Sequence, residues 1–334
     1  MAVLVSGGAG FIGSHTCVEL LNSGEEVVVF DNLSNSKRSV IDRIEEITGK
    51  KVKFYQADML DKEALRNIFK ENDIESVIHF AGLKAVGESV CYPMKYFENN
   101  IYGTINLCQV MEEFGCKRMV FSSSATVYGM RNQSPLSEEM PLSVTNPYGR
   151  TKLVIEDMMR DLCFADKEWS VMLLRYFNPI GAHKSGLIGE DPNGIPNNLL
   201  PNVVNAAIGK TDKLKVFGND YDTPDGSCVR DYIHVVDLAV GHISALKKIR
   251  EMKGADAINL GTGCGYSVYE IINAFEKESG VKVPYETVGR RSGDVAECYS
   301  DPSKAARELG WKAQFGISEM CRDLWNYVTK TLNK

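Results

Sequence analysis

Tyr148 and Lys152 stand four residues apart in Asn146-Pro147-Tyr148-Gly149-Arg150-Thr151-Lys152. Asn-Pro marks a helix start, with Asn as the cap and Pro at the first helical position. The two side chains then share one helix face. A free phenol titrates near ~10, too high for a base at neutral pH. A neighbouring ammonium favours the phenolate and lowers that value, so the pair could move a proton. Upstream, Ser122-Ser123-Ser124-Ala125-Thr126-Val127-Tyr128-Gly129 follows an apolar run. Three hydroxyls closing a buried strand need partners. They either cap the next turn or hydrogen-bond a substrate hydroxyl. A Tyr/Lys pair alone is ordinary helix-surface chemistry, and its weight depends on the motifs around it.

The first of these is Val3-Leu4-Val5-Ser6-Gly7-Gly8-Ala9-Gly10-Phe11-Ile12-Gly13. A β-branched run leads into glycines at 7, 10 and 13, and an amphipathic run starts at Ser14. Strand, tight turn and helix N-terminus suit a pyrophosphate. Glycine lets backbone approach it, and the helix offers free N–H groups and a partial positive charge. The motif follows a strand and opens a helix, and an acid, Asp31, ends the next strand. Asp31 would hold an adenosine ribose through its hydroxyls and repel a 2′-phosphate, which predicts NAD rather than NADP. An oxidised nicotinamide beside Tyr148 would lower its phenol further.

These residues need a scaffold. Strands read at Val3–Ser6, Val27–Phe30, Val52–Ala57, Ser76–Ala81, Met119–Ser123 and Val171–Tyr176. Helices fit Ser14–Ser23, Ser39–Thr48, Lys62–Glu71, Pro93–Phe114 and Pro147–Ala165. This alternation predicts an α/β, doubly wound parallel Rossmann-type sheet, with ligands at the carboxyl ends of its strands. After strand two, the run Asp31–Lys37, with Asn32, Asn35 and Ser36, could hold the adenosine ribose. After strand three, Asp58 and Met59 suit an adenine edge and face, or Asp58 caps a helix. After strand four, Phe80, Ala81 and Gly82 allow close backbone approach, and Lys84 adds positive charge.

The second half has shorter, mixed elements, predicting a smaller mixed α/β domain. We divide the chain at 1–177, with a return around 236–261, and 178–334. A helix over Val236–Ile249 and a strand over Ala257–Leu260 make that return, and helices fit Pro302–Leu309 and Ile317–Leu332. Polar or aromatic strings stand at Tyr176–Ala182, Gly194–Leu199, Lys215–Gly218, Cys228–Val235 and Arg290–Asp294. Arg230, Arg290 and Arg291 stand out in an acidic protein. Guanidinium forks suit a diphosphate, or they pair with surface carboxylates.

The 334 residues carry 44% hydrophobic side chains and a net charge of −6. That gives a large core and no electrostatic reason to expect nucleic acid or an anionic membrane as a partner. Nine cysteines, an odd count without a C-x-x-C pair, read as reduced thiols in a cytoplasmic protein. No signal peptide and no membrane-spanning run are expected. The five histidines show no metal-ligand spacing, so no metal is expected. His79, inside a strand, reads as a hydrogen-bonded core residue.

Together these residues resemble the extended short-chain dehydrogenase/reductases, and within them the UDP-glucose (UDP-galactose) 4-epimerases. The match runs essentially end to end. Its distinctive strings are the glycine turn, His79–Ser89, Ser122–Gly129, Tyr148-x-x-x-Lys152, Tyr176–Ala182 and Val229–Val235. The resemblance implies that Tyr148 takes the proton of the sugar 4-hydroxyl, Ser124 hydrogen-bonds that oxygen, and Lys152 binds the nicotinamide ribose and keeps Tyr148 ionised. A transient 4-keto sugar turns over and is reduced on its other face by a resident NAD. It further implies NAD contacts at Phe11, Ile12, Asp31, Asn32, Asn35, Ser36, Asp58, Met59, Phe80, Ala81, Lys84, Asn99, Ser122, Tyr148, Lys152 and Tyr176. UDP-sugar contacts are implied at Lys84, Ser124, Tyr148, Asn178, Asn198, Leu199, Phe217, Arg230, Arg291 and Asp294. Some members carry a bulky Tyr where this chain has Cys298; the smaller side chain leaves room for an N-acetyl group. The related 4,6-dehydratases need Asp-Glu where Ala125 and Thr126 stand here. A homodimer through the helices over Pro93–Phe114 and Pro147–Ala165 is implied as well.

Overall fold

The computed structural model describes residues 1–193, 198–291 and 293–332. Gly194–Asn197, part of one string singled out above, and Ser292, inside another, lie outside the described residues.

Six strands come early in the chain: β1 (Ala2–Ser6), β2 (Val27–Asp31), β3 (Lys53–Gln56), β4 (Ile74–His79), β5 (Arg118–Ser124) and β6 (Ser170–Tyr176). A seventh, Gly254–Leu260, returns from far along the chain to pair with β6. The order is β3-β2-β1-β4-β5-β6 and then Gly254–Leu260, with every pairing parallel. The chain reverses winding between β1 and β4, which opens a crevice at their carboxyl ends. β1 and β2 are buried along their whole length, as a sheet covered on both faces requires.

Side chains alternate between two cores. Val3 and Val5 face one, with Leu20 of helix Phe11–Asn22 and Leu246 of helix Val235–Glu251. Leu4 faces the other, with Leu65, Leu107 and Ile155. Each such aliphatic side chain contributes about 1.5–3 kcal/mol on burial. A third core lies under helices Leu199–Ala207, Val268–Ser279 and Ile317–Leu332. Beside it, strand Val229–His234 pairs with Asn178–Ile180, Gly265–Ser267 and Glu297–Cys298, while Leu214–Phe217 pairs with Tyr285–Val288.

Three expectations change. The helix read from Ser14 begins at Phe11, because Gly10 is already its N-cap. The helix expected over Pro93–Phe114 is broken into Val86–Cys91, Pro93–Tyr96, a π-helical turn Phe97–Tyr102, and Gly103–Glu113. Pro93 cannot donate to the turn before it. Gly103 lies against Met59, where a Cβ would come within 2.6 Å of its Cγ. The third change is the returning strand, read over Ala257–Leu260, which begins at Gly254, where it pairs with Ser170 of β6. Among the described residues, no helix is long and apolar enough to cross a membrane.

Candidate active site

Gly7 is left-handed, with φ +68°, and a Cβ there would meet the Ala81 N at 2.9 Å. A Cβ on Gly13 would meet the Gly7 O at 2.3 Å. Gly8, which the sequence motif did not count, leaves room for Val29, whose Cγ1 would lie 2.7 Å from a Cβ. Gly10 is less constrained, with φ −75° and its nearest conflict at 3.2 Å. The helix opening at Phe11 has no side-chain cap and no acid in its first turn, so the Phe11 and Ile12 end of it is open to an anion. A pyrophosphate fits this cradle.

Asp31 is buried at the end of β2. Its carboxylate accepts from Ala9 N (3.1 Å), Leu33 N (2.8 Å) and Ser36 Oγ (2.8 Å), so it fixes the glycine turn. Asn32 donates to Asp58 at 2.8 Å. Asp58 also accepts from Leu60 N, while the cap of helix Lys62–Glu71 is Asp61. That removes the capping alternative for Asp58. Met59 is buried beneath Gly103. Asn35 accepts from Asn193 N at 3.0 Å. Phe80 stacks on His242, with ring centres 4.7 Å apart, and Tyr176 donates to His242 Nε2 at 3.2 Å.

His79 is the core residue expected. Ala81 N donates to Ser6 Oγ, and Ser6 Oγ to His79 Nδ1 (2.6 Å). His79 Nε2 donates to Thr104 Oγ1 (2.9 Å), and Thr104 donates to Asn100 O (2.6 Å). These directions follow from satisfying each group once. Burial, with the Lys152 charge, pushes His79 down to about 3, so it is neutral as this chain of donors requires.

The three serines point to three different partners. The Ser122 carbonyl accepts from Lys152 Nζ at 2.6 Å. Ser123, on the opposite face of the strand, donates to buried Glu156 at 2.5 Å. Ser124 Oγ accepts from Thr126 N (3.2 Å) and Thr126 Oγ1 (3.0 Å), and it stands near the Tyr148 phenol. Asn146 caps helix Pro147–Ala165 as the sequence predicts, accepting from Gly149 N at 2.8 Å. Tyr148 is half-buried, and Lys152 Nζ lies 5.9 Å from its ring centre. The ammonium is turned to Ser122, so it does not lower the phenol as expected. Burial raises Tyr148, and only the nearby Ser124 hydroxyl opposes it. Burial pulls Lys152 down to about 8, against the Glu156 charge.

In the second half of the chain, Arg291 grips Asp294 with Nε (3.1 Å) and Nη2 (2.9 Å), and Arg230 Nη2 stands 3.6 Å from the same carboxylate. Arg291 also lies 5.5 Å above the Phe217 ring. Cys298 is the parallel register partner of Arg230 and packs against Val127, Tyr128, Leu136 and Phe177. Arg290 pairs with Asp220 and stacks 4.1 Å over Tyr221. Lys84 and Asn198 both bond one Glu190 oxygen, at 3.1 and 2.7 Å. Leu199 packs against the third core, and Asn178 lies beside Tyr232 in the sheet register. Asn99 donates to Asn100 Oδ1 at 2.9 Å.

Sequence reasoning missed Asn100, Glu190, Glu156 and Arg175. Arg175 forms a bidentate pair with Glu156 at 3.0 and 2.7 Å, both buried. The Arg175 charge in a strand with no other charged residue was the available signal. Among the described residues, no group of three or more His, Cys, Asp or Glu could hold a metal ion.

The family model described as GDP-mannose 4,6 dehydratase matches residues 4–324. The chain is 63% identical over 333 residues to the UDP-glucose 4-epimerase of Bacillus subtilis (strain 168), covering 100% of this chain and 98% of that one. It is 53% identical to the crystal structure of UDP-glucose 4-epimerase from Bifidobacterium longum in complex with NAD+ and UDP, with a TM-score of 0.96 over 100% and 99% of the chains. A UDP-glucose-4-epimerase structure from Stenotrophomonas maltophila, with bound NAD and formylated UDP-arabinopyranose, is 48% identical with a TM-score of 0.97 over 100% and 99%.

Lys152 yields a stability prediction. A lysine whose folded value lies below its unfolded ~10.5 costs stability below the folded value, and the cost disappears as pH rises to the unfolded one. Freed of any nucleotide, Lys152→Met should be more stable than the parent at pH 7, by about 1–3 kcal/mol, with no advantage left near pH 10. Urea unfolding at the two pH values measures this. A variant less stable at both would contradict it.

Proposed function

The chain belongs to the UDP-glucose 4-epimerase family, within the extended short-chain dehydrogenase/reductases, and from that premise we propose that it interconverts UDP-glucose and UDP-galactose at sugar C4 with a resident NAD. The observation that carries this reading is the grouping of Ser124, Tyr148 and Lys152 at the carboxyl end of β5. The enzyme is an isomerase with no net redox change.

The glycine turn, Phe11 and Ile12 would hold the cofactor's pyrophosphate. Asp31, Asn32, Asn35, Ser36, Asp58 and Met59 would hold its adenosine end. Phe80, Ala81, Lys84, Asn99, Ser122 and Tyr176 would line the rest. NAD held there supplies the acceptor and donor for hydrogen at sugar C4, and a positive charge beside Tyr148. Tyr148 acts as the base on the sugar 4-hydroxyl and returns the proton at the end. Ser124 stands near the phenol, so it can share the same sugar oxygen and keep it aligned. Burial raises Tyr148, so its proton leaves only when cationic groups stand close, and Lys152 is the chain's own such group. Arg230 and Arg291 suit the diphosphate. Asn178, Asn198, Leu199, Phe217 and Asp294 complete the UDP-sugar contacts. An anchor at the diphosphate leaves the sugar free to present either face to one Tyr148.

The matched family model is described by a dehydratase, but elimination needs an acid and a base next to Ser124. Ala125 offers a methyl, and the Thr126 hydroxyl is engaged with Ser124.

We also propose activity on UDP-N-acetylglucosamine and UDP-N-acetylgalactosamine. Cys298 supports it: a small side chain set between the Tyr128 cluster and Arg230 leaves space for a 2-acetamido group. We further propose a homodimer through helices Val86–Cys91, Pro93–Tyr96 and Pro147–Ala165. Val90, Tyr92, Met94 and Tyr102 leave 62%, 64%, 73% and 53% of their surfaces exposed along this region, far more than isolated surface apolars need. Nine free thiols support a reducing, cytoplasmic setting.

Incubated with UDP-galactose and no added NAD, the purified protein should form UDP-glucose. In the same assay Tyr148→Phe should retain NAD but lose about 10²–10⁴-fold in kcat; unaltered turnover would remove Tyr148 from the mechanism. Cys298→Tyr should lose turnover of UDP-N-acetylglucosamine and keep that of UDP-glucose; no acetylated-sugar turnover by the parent enzyme would sink the wider specificity. In sedimentation, the parent should run as a dimer and Met94→Asp/Tyr102→Asp as a monomer, and a monomeric parent would refute the dimer.

A further inference from the structure

The string Cys228–Val235 carries an acid directly after Arg230 that the proposed reaction does not use. Asp231 lies in strand Val229–His234 and is fully buried. Five neutral donors converge on its carboxylate. Oδ1 accepts from Thr262 N (2.9 Å) and Thr262 Oγ1 (2.6 Å). Oδ2 accepts from Gly263 N (3.1 Å), Ser300 N (3.1 Å) and Ser300 Oγ (2.6 Å). A buried carboxylate needs donors of this kind to offset the loss of water. Gly261 leaves the space for them: a Cβ there would collide with Ser300 Oγ and Asp231 Oδ2.

The donors come from two segments that lie apart in the chain. Thr262 and Gly263 follow Gly254–Leu260, the strand that closes the seven-stranded sheet beside β6. Ser300 follows Glu297–Cys298, which pairs with Val229–His234 so that Cys298 stands opposite Arg230. Arg230 is itself held by that second segment. Its Nη1 donates to Val229 O and Val295 O, each at 2.8 Å, and its Nη2 stands 3.6 Å from Asp294. Arg230 and Asp231 point to opposite faces of their strand. One face offers a guanidinium. The other pins the segment that cradles this guanidinium to the exit of the large sheet.

We propose that Asp231 is a positioning residue for the nucleotide diphosphate: by joining strand Val229–His234 to Ser300 and to Thr262–Gly263, it sets where the Arg230 guanidinium stands relative to the seven-stranded sheet. This rests on the epimerase reading above. Asp231 touches no substrate atom; it acts through Arg230 and the Asp294–Cys298 segment. A guanidinium fork rewards a phosphate only where its N–H groups meet the oxygens. The sugar must present two faces to one base, so the place of its anchor decides the reach of both poses.

The test is equilibrium binding of UDP to the NAD-loaded enzyme, with turnover of UDP-galactose measured alongside. Asp231→Asn and Ser300→Ala should each weaken UDP about 5- to 50-fold and raise KM for UDP-galactose in step. kcat should stay within about threefold, bound NAD should stay at the parent stoichiometry, and affinity for uridine, which has no diphosphate, should not change. Arg230→Ala should weaken UDP as well, and adding either substitution to it should weaken UDP no further. A merely structural role would lower the melting temperature without this non-additivity. Unchanged UDP affinity in both singles, losses additive with Arg230→Ala, or an equal loss of uridine would overturn the proposal. If Asp231→Asn fails to fold, Ser300→Ala carries the same comparison. A parent that binds UDP without turning over UDP-galactose would refute the epimerase reading and leave the binding cycle to decide this one; an active parent with unchanged variants would refute only this one.

Discussion

The close approach of backbone to backbone at the β1–β4 crevice is the constraint that the site depends on. Gly7 and Gly13 can each carry no Cβ, because Ala81 N and Gly7 O occupy those spaces. That contact brings the turn after β1 against the exit of β4. The Ser6–His79 bond and the Ala81 N–H then tie the same two strand ends together. Asp31 adds a third tie from β2 through Ala9 N. The turn is thus held from three strands, and the open helix end at Phe11 is left for a ligand rather than for a cap. A site bound this tightly into the sheet suits a cofactor that need not leave between turnovers.

Charge in this part of the molecule is rationed by burial. His79 is neutral, and His242, pushed down to about 4 chiefly by burial, is neutral as well. Lys152 therefore faces Ser122 without a cationic histidine beside it. Behind β5, burial favours a raised Glu156, but hydrogen bonds and charge from Arg175, with Ser123 and Arg160, hold it below the usual carboxylate range. Glu156 and Lys152 stand one turn apart on helix Pro147–Ala165, so the Glu156 charge supports the Lys152 ammonium against burial. Along β5, Ser123 turns to Glu156, and Ser124 stands by Tyr148.

How much of this was legible in the sequence depends on the range of the interaction. The doubly wound parallel sheet followed from alternating apolar runs and helix signals, because a parallel sheet imposes both. The glycine turn, the Asn146 cap and the Tyr148/Lys152 face were readable because each is encoded within a few residues. Asn100 was hidden inside a run that reads as one long helix; just past the π turn, Gly103 settles on Met59, a contact 44 residues apart in sequence. Glu190 was equally hidden, since its partners Lys84 and Asn198 meet only when the two halves of the chain fold together. The phenol's direction of shift was not legible, because spacing puts Lys152 on the Tyr148 face but cannot show that its ammonium turns to a carbonyl.

That turn of the ammonium bears on mechanism. If the Lys152 ammonium alone set the phenol, Tyr148 would be a base in the ligand-free enzyme. Burial instead raises Tyr148 and lowers Lys152. Both groups are thereby biased toward their neutral forms, which is the state an apolar crevice tolerates. Binding of a charged cofactor and a polar sugar changes that environment for both at once. In the proposed reaction the base would then be competent chiefly when the site is filled, with proton abstraction coupled to occupancy by the desolvation that makes the empty pair costly.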